Sequence, residues 1–236
     1  VIEKVRFDGH LLNELCIPLV SQRSPAGVEV NTEDILGRDG ETVTSARYIP
    51  PEVTLVLVAP DADVYERRRL VRSLSPILLT KEPKRLEISS DDGLAYMAMV
   101  NDRPELTELV NGGSMEVTFL VTSVAMQGKD TSVRMTGNTT LLIGGTYETP
   151  LRIAGTVTPS NGYFGIRMDG SDFIRVAMDG QGTIEVDCTM RTCKVNGVIR
   201  QITLDSDWLV PSAGRHELSF DSGSGDVTVG WTEMWL

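Results

Sequence analysis

Two histidines, His10 and His216, and three cysteines, Cys16, Cys188 and Cys193, are the side chains of this 236-residue chain best suited to acid–base, nucleophilic or metal chemistry. A zinc site takes about four ligands at regular spacing, and these five are scattered. His216 stands in an alternating segment, residues 215–220, and His10 beside a turn, and neither adjoins a nucleophile motif. Carboxylate pairs of the kind that hydrolyse glycosides occur at Asp61/Asp63, Asp91/Asp92 and Asp205/Asp207. Each sits at a turn or a helix start, where short acidic side chains cap backbone groups. Asp221 and Asp226, with Ser222, Gly223, Ser224 and Gly225 between them, suggest a calcium loop. The segment lacks the alternating acids and terminal glutamate of such a loop and reads as a strand connection. No catalytic, cofactor-binding or metal set emerges, so the expected function is structural or binding, without enzymatic activity.

Cys188 and Cys193 both fall on inward positions, and the four residues between them make a hairpin loop that sets the two side chains opposite each other. That arrangement permits a cross-strand disulfide, whereas synthesis in the cytoplasm favours two buried thiols.

The 33 acidic against 22 basic residues give a formal charge of -11, divided as -7 over residues 1–127 (13 bases, 20 acids) and -4 over the rest (9 bases, 13 acids). Affinity for nucleic acid comes mainly from cations that neutralise phosphates, so a chain acidic in both halves is a poor DNA or RNA binder. The one basic run, Arg67-Arg68-Arg69 with Arg72, reads as the solvated or partner-facing side of a helix. No apolar run approaches the roughly 20 residues of a membrane helix, and the start, Val1-Ile2-Glu3-Lys4, has no signal-peptide core. A soluble protein made in the cytoplasm, without membrane insertion, is the expectation.

Length and a change of texture near residue 128 predict two domains, 1–127 and 128–236. The first half opens with a strand at Val5-Arg6-Phe7 and an Asp8-Gly9 turn, followed by an apolar stretch over residues 15–20. Residues 21–47 are polar, with strand-like Val28-Glu29-Val30 and Thr42-Val43-Thr44 on either side of Gly37-Arg38-Asp39-Gly40. Strands with so few large apolar side chains suit a hairpin that projects from its domain, and Val28, Val30, Ile35, Leu36 and Val43 are its candidate interface residues. After Pro50-Pro51 the run from Val53 to Val58 is apolar on both faces, as in a covered strand. Asp63 and Glu66 form an aspartate variant of the capping box. Val64, Leu70, Val71 and Leu74 then recur at helical spacing, and Ser75-Pro76 is expected to end the helix. Strands follow over residues 85–89, 94–101 and 115–121, the last with Met115, Val117, Phe119 and Val121 inward.

No stretch after residue 128 reads as a helix. Leu151/Ile153/Val157, Phe164/Ile166/Met168, Ile174/Val176/Met178, Ile184/Val186/Cys188, Leu218/Phe220 and Val227/Val229/Trp231 alternate with polar residues as the inward faces of successive strands. Val195-Asn196-Gly197-Val198 is a hairpin signal, because a type I′ turn needs positive φ at both central residues. Two antiparallel sheets packed face to face satisfy this pattern. The predicted fold is mainly β, with a β-rich first domain carrying one α-helix and a projecting hairpin arm, and a β-sandwich second domain.

Taken in order, these pieces resemble the distal tail (Dit) proteins of long-tailed bacteriophages. The resemblance rests on Gly37-Arg38-Asp39-Gly40 ahead of Tyr48, Pro50 and Glu52, the strand from Val53 to Val58, the helix from Asp63, and Leu86-Glu87-Ile88-Ser89-Ser90-Asp91-Asp92 with Tyr96. It continues through Ile184-Glu185-Val186-Asp187, Val195-Asn196-Gly197, Leu204-Asp205-Ser206-Asp207, Pro211 with Gly214, and Leu218-Ser219-Phe220. The resemblance implies a first domain that closes a homo-hexameric ring and a galectin-like β-sandwich projecting from it. It also implies a place at the virion tail tip, in the baseplate region, after assembly in the host cytoplasm. The partners implied are the tail tube protein, a tail-associated lysin or fibre protein and the tape measure protein, in a phage or prophage of a Gram-positive host. An acidic ring would let DNA pass without holding its phosphates, an expectation that a lumen lined with arginine and lysine would defeat. Longer members carry an additional carbohydrate-binding domain that does not interrupt this chain. The rival reading is a secreted carbohydrate-binding or adhesive β-sandwich protein, whose sugar site would need exposed aromatics among Tyr147, Tyr163, Trp208, Trp231 and Trp235.

Overall fold

In a computed structural model, which describes residues 3–37, 39–60, 63–101, 104–109 and 112–236, the chain forms two compact units, residues 1–127 and residues 128–235. The fold is mainly β, with one α-helix and several antiparallel sheets among the described residues.

The first unit comprises β1 (Val5–Phe7), β2 (His10–Leu11), β3 (Ile17–Arg23), β4 (Gly27–Asp34), β5 (Glu41–Ile49), β6 (Glu52–Pro60), α1 (Val64–Leu78), β7 (Lys84–Ile88), β8 (Ala95–Val100), β9 (Glu105–Leu109) and β10 (Gly112–Val121). Asp8 and Gly9, at φ 47 and 79, turn β1 into β2 with the positive φ values that a two-residue hairpin needs. Antiparallel pairing then runs β2-β1-β7-β8-β10-β6-β3, with β9 also on β10. Alternation along β10 sends Met115, Val117, Phe119 and Val121 inward, where Phe119 meets Phe7 at 5.2 Å between ring centroids. Leu74 and Leu78 of α1 join that core, so the helix covers the sheet.

Two expectations for the helix are corrected. It does not end at Ser75-Pro76 but runs to Leu78. Pro76 lacks the N–H that would reach the carbonyl of Arg72, yet it lies in the last turn, and Leu79 N–H closes the helix on the Ser75 carbonyl at 2.9 Å. Nor is the whole basic run solvated, because Arg67 occupies the core-facing helical phase with Leu74 and Leu78 and is buried. Its Nη1 donates to the carbonyl of Gly112 at 2.5 Å. A Cβ on Gly113 would stand 2.7 Å from Arg67 Cδ, so the glycine makes room for the guanidinium stem.

The second unit contains β11 (Met126–Met135), β12 (Thr139–Ile143), β13 (Arg152–Thr158), β14 (Tyr163–Met168), β15 (Asp172–Ala177), β16 (Gly182–Asp187), β17 (Thr192–Val195), β18 (Val198–Ile199), β19 (Gly214–Ser222) and β20 (Ser224–Trp235). One sheet has the order β18-β17-β16-β13-β20-β11 and the other β12-β19-β14-β15. Inward residues of both sheets, among them Leu141, Ile153, Phe164, Ile184, Leu218 and Val229, form a single apolar cluster, as in a β-sandwich. Asn196 and Gly197, at φ 50 and 77, make the expected turn between β17 and β18. Gly155 lets β13 lie close to β20, since a Cβ there would sit 2.2 Å from the Asp226 carbonyl oxygen.

The register expected for Cys188 and Cys193 is also corrected. Asp187 pairs with Thr192 and Val186 with Cys193, so Cys188 is the first residue of the loop and does not stand across from Cys193. The cause is local: Asp187 Oδ1 accepts from the amides of Thr189 and Met190 at 2.9 and 3.0 Å, and Arg191 takes φ 51, which closes a four-residue loop after Asp187. Both cysteines, like Cys16, are free and buried, and burial pushes each of the three thiols up to about 11. The native protein is therefore expected to react negligibly with a thiol reagent at pH 8 and to release three equivalents once unfolded without reductant. A single equivalent after unfolding would reveal a Cys188–Cys193 disulfide.

Candidate functional site

Among the described residues the β4–β5 hairpin pairs with no other strand. Residues Gly27 to Asn31 oppose Ile49 to Ser45 in regular register, and the pairing then steps from Asn31↔Ser45 to Thr32↔Val43, leaving Thr44 as a bulge. Its hydroxyl pins the bulge by donating to the Asn31 carbonyl at 3.0 Å. The shift decides which side chains share a face. Without it Val43 would stand across from Glu33, on the face of Asn31 and Ser45; with it, Val43 joins Val28, Val30, Thr32, Ala46 and Tyr48. The opposite face carries polar cross-strand pairs, Glu29 with Arg47 at 2.6 Å and Asn31 with Ser45 at 3.0 Å. The arm is thus amphipathic, and the large apolar side chains on it stay exposed among the described residues.

Val28, Val30, Ile35, Leu36 and Val43, the residues singled out in the sequence, all lie on the arm and none is buried: Ile35 keeps 46% of its surface and Leu36 104%. Sequence reasoning missed Tyr48 and Ile49, also exposed, because the second strand extends well beyond the expected Thr42-Val43-Thr44. Arg38 lies outside the described residues, as does Asp61 of the Asp61/Asp63 pair.

A built root holds this exposed element. Arg23, the last residue of β3, donates from Nε to the Tyr96 hydroxyl at 2.9 Å and from Nη1 to the Ser90 hydroxyl at 3.3 Å, and its Nη2 meets the buried carboxylate of Asp91. Ser24 and Glu52 then tie the two legs together: Ser24 N–H donates to the Glu52 carbonyl at 3.0 Å, and Glu52 N–H to the Ser24 hydroxyl at 2.9 Å. Asp91 is therefore spent on Arg23, and Asp92 is a turn residue at φ 50. Asp63 is the helix N-cap and Asp205 lies 3.8 Å from Arg175, so neither belongs to an acid–base pair.

The remaining candidates are similarly occupied. Asp221 is clamped on the outer side of β19 by Arg167 and Arg175, both of which stack on Phe173. Burial pushes its carboxyl up, but hydrogen bonds from Arg175 and Arg167 outweigh that and hold it below the usual carboxylate range. Asp226 is paired with Arg134, so the two acids offered by the sequence for a cation face arginines. His216 places Nδ1 2.6 Å from Asp169 and Nε2 2.9 Å from the Ser212 carbonyl, which occupies both ring nitrogens. Of the five aromatics a sugar site would need, Trp231 is buried, Tyr163 is exposed, and Tyr147, Trp208 and Trp235 are half-buried. No helix among the described residues is long and apolar enough to cross a membrane.

Comparison with known proteins follows the same division of the chain. Residues 10–121 match the family model described as a phage tail protein RIFT-related domain, and residues 144–235 the one described as a siphovirus-type tail component, C-terminal domain. Among solved structures, the Dit protein of phage SPP1, described as a paradigm of the hub adsorption apparatus in Gram-positive-infecting phages, superposes with a TM-score of 0.80 at 17% identity, with 100% of each chain covered. A chain of the phage P2 baseplate in its activated conformation with Ca matches with a TM-score of 0.51 at 12% identity, covering 98% of this chain and 90% of that one. A chain of the same baseplate with Sr matches at 0.51 and 12%, with 97% of each covered. No curated protein matches the chain.

The root generates a test of its own. Arg23→Ala strands the buried Asp91 carboxylate and is expected to cost the first unit about 3 kcal/mol, read from urea denaturation. Glu29→Ala with Arg47→Ala, an exposed pair, is expected to cost less than about 1 kcal/mol.

Proposed function

Because the chain belongs to the siphovirus-type Dit tail-component family, we propose that it is a non-enzymatic hub subunit, six copies of which close a ring at the tail tip through residues 1–127. The ring joins the tail tube protein on one side to a tail-associated lysin or fibre protein on the other, with the tape measure protein inside. The β-sandwich of residues 128–236 serves as an outward module of that hub.

The observation that supports this reading most strongly is the arm. A two-stranded hairpin is at best marginally stable alone, and this one leaves its apolar face exposed among the described residues while the half-buried ion pair of Arg23 with Asp91 anchors its root. Such an element is suited to burial against a neighbour, and Val28, Val30, Ile35, Leu36 and Val43 supply the contact. Rotational repetition multiplies a modest contact around a ring, so no single arm has to bind tightly.

Solution mass measured across a concentration series, followed by negative-stain microscopy, tests the proposal. The full chain is expected to reach six subunits in a six-fold ring. Replacing residues 25–48 with two glycines, which keeps the Ser24–Glu52 tie, is expected to leave a monomer whose sandwich is intact. A six-fold ring that forms without the arm refutes the role given to it, and a monomer at every concentration refutes the ring.

A further inference from the structure

The first unit carries a second unfilled surface, a groove of about 330 Å³ between α1 and the start of β3. Leu15, Cys16, Ala59 and Leu70 form its apolar floor, and Arg69 and Ser73 part of its rim. Glu66 also lines it, but the Glu66 carboxylate is engaged in the capping box with the Asp63 amide at 3.1 Å. Arg69 on the rim and Arg72, one turn on along the solvent side of the helix, are exposed, and neither is in an ion pair among the described residues. The arm has the complementary character. Its tip presents the fully exposed Leu36 next to Ile35, flanked by Glu33, Asp34, Asp39 and Glu41, all exposed and likewise without an ion pair among the described residues.

These two surfaces sit at opposite ends of one strand pair. β3 and β6 are in register from Ile17↔Val58 to Arg23↔Val53. The arm leaves at the Arg23 and Val53 end, whereas Cys16 and Ala59 of the groove flank the Ile17 and Val58 end, about 20 Å away along the strands. Leu36, being fully exposed, does not fill the groove of its own chain. A knob at one end and a socket at the other make a head-to-tail contact, the type that closes into a ring when the rotation between copies allows it.

We propose that the arm tip of one copy docks in the α1–β3 groove of a second copy, with Leu36 in the apolar floor and the acidic flanks against Arg69 and Arg72. The occupant is a second copy of this chain, and the argument rests on the ring reading above. Charge complementarity sets the register of the contact and speeds its formation, while the leucine fixes its depth.

The test uses the full chain at a ring-forming concentration. With Leu36→p-benzoylphenylalanine, illumination is expected to give an intermolecular cross-link to residues 15–20 or 59–73, located by mass spectrometry. Glu33→Lys with Asp34→Lys, and separately Arg69→Glu with Arg72→Glu, are each expected to weaken ring assembly about tenfold or more, and their combination to restore it. A ring seen by microscopy whose cross-links fall elsewhere, or a combined variant weaker than either parent, overturns this docking and leaves the ring standing. Absence of a ring in the unmodified protein overturns both.

Discussion

The constraint on which this structure depends is that a two-stranded ribbon has no interior. Side chains alternate across a strand, so β4 and β5 show one face of Val28, Val30, Val43 and Tyr48 and another of Glu29, Arg47, Asn31 and Ser45. With no third layer, neither face can be buried within the hairpin. The polar face tolerates water. The apolar face gains stability only from an external surface, since removal of apolar area from water is the main favourable term available to it. The rest of the first unit acts as a mount: a sheet with one covering helix forms the body, and the root residues Arg23, Asp91, Tyr96, Ser24 and Glu52 hold the hairpin at one end of it.

Polar chemistry elsewhere serves structure in the same manner. Asp221 joins β14, β15 and β19 through two arginines, His216 bridges Asp169 to a backbone carbonyl, and Asp187 shapes the loop after β16. In each case the partners are arginines, a carboxylate, amides or a carbonyl of the chain itself, so these groups help to hold strands and loops in place.

Much of this was legible in the sequence. Turn residues at Asp8-Gly9 and Asn196-Gly197, the Asp63–Glu66 cap and the alternation along β10 are local signals with local causes, and the structure reproduces them. The arm could be recognised from its poverty in large apolar residues. What failed depended on partners. The bulge at Thr44 is invisible without the register, and so is the face that Val43 adopts. Arg67 looked solvated because its neighbours are arginines, although its helical phase with Leu74 and Leu78 places it in the core. β11 was missed because residues 129–134 hold little apolar content, and β12 because the exposed Leu142 between the buried Leu141 and Ile143 conceals the alternation. Cys188 was misplaced because a side-chain cap on Asp187, rather than strand periodicity, fixed the loop.

Amide hydrogen exchange across residues 27–49, compared between dilute and concentrated protein, tests most directly whether this hairpin is an assembly element. The account predicts rapid exchange along the arm in dilute solution and strong protection at high concentration, on the strands and at the Ile35 and Leu36 tip, with the β-sandwich amides unchanged. Arm amides that exchange equally at both concentrations, in a sample whose mass shows that subunits have associated, would contradict it.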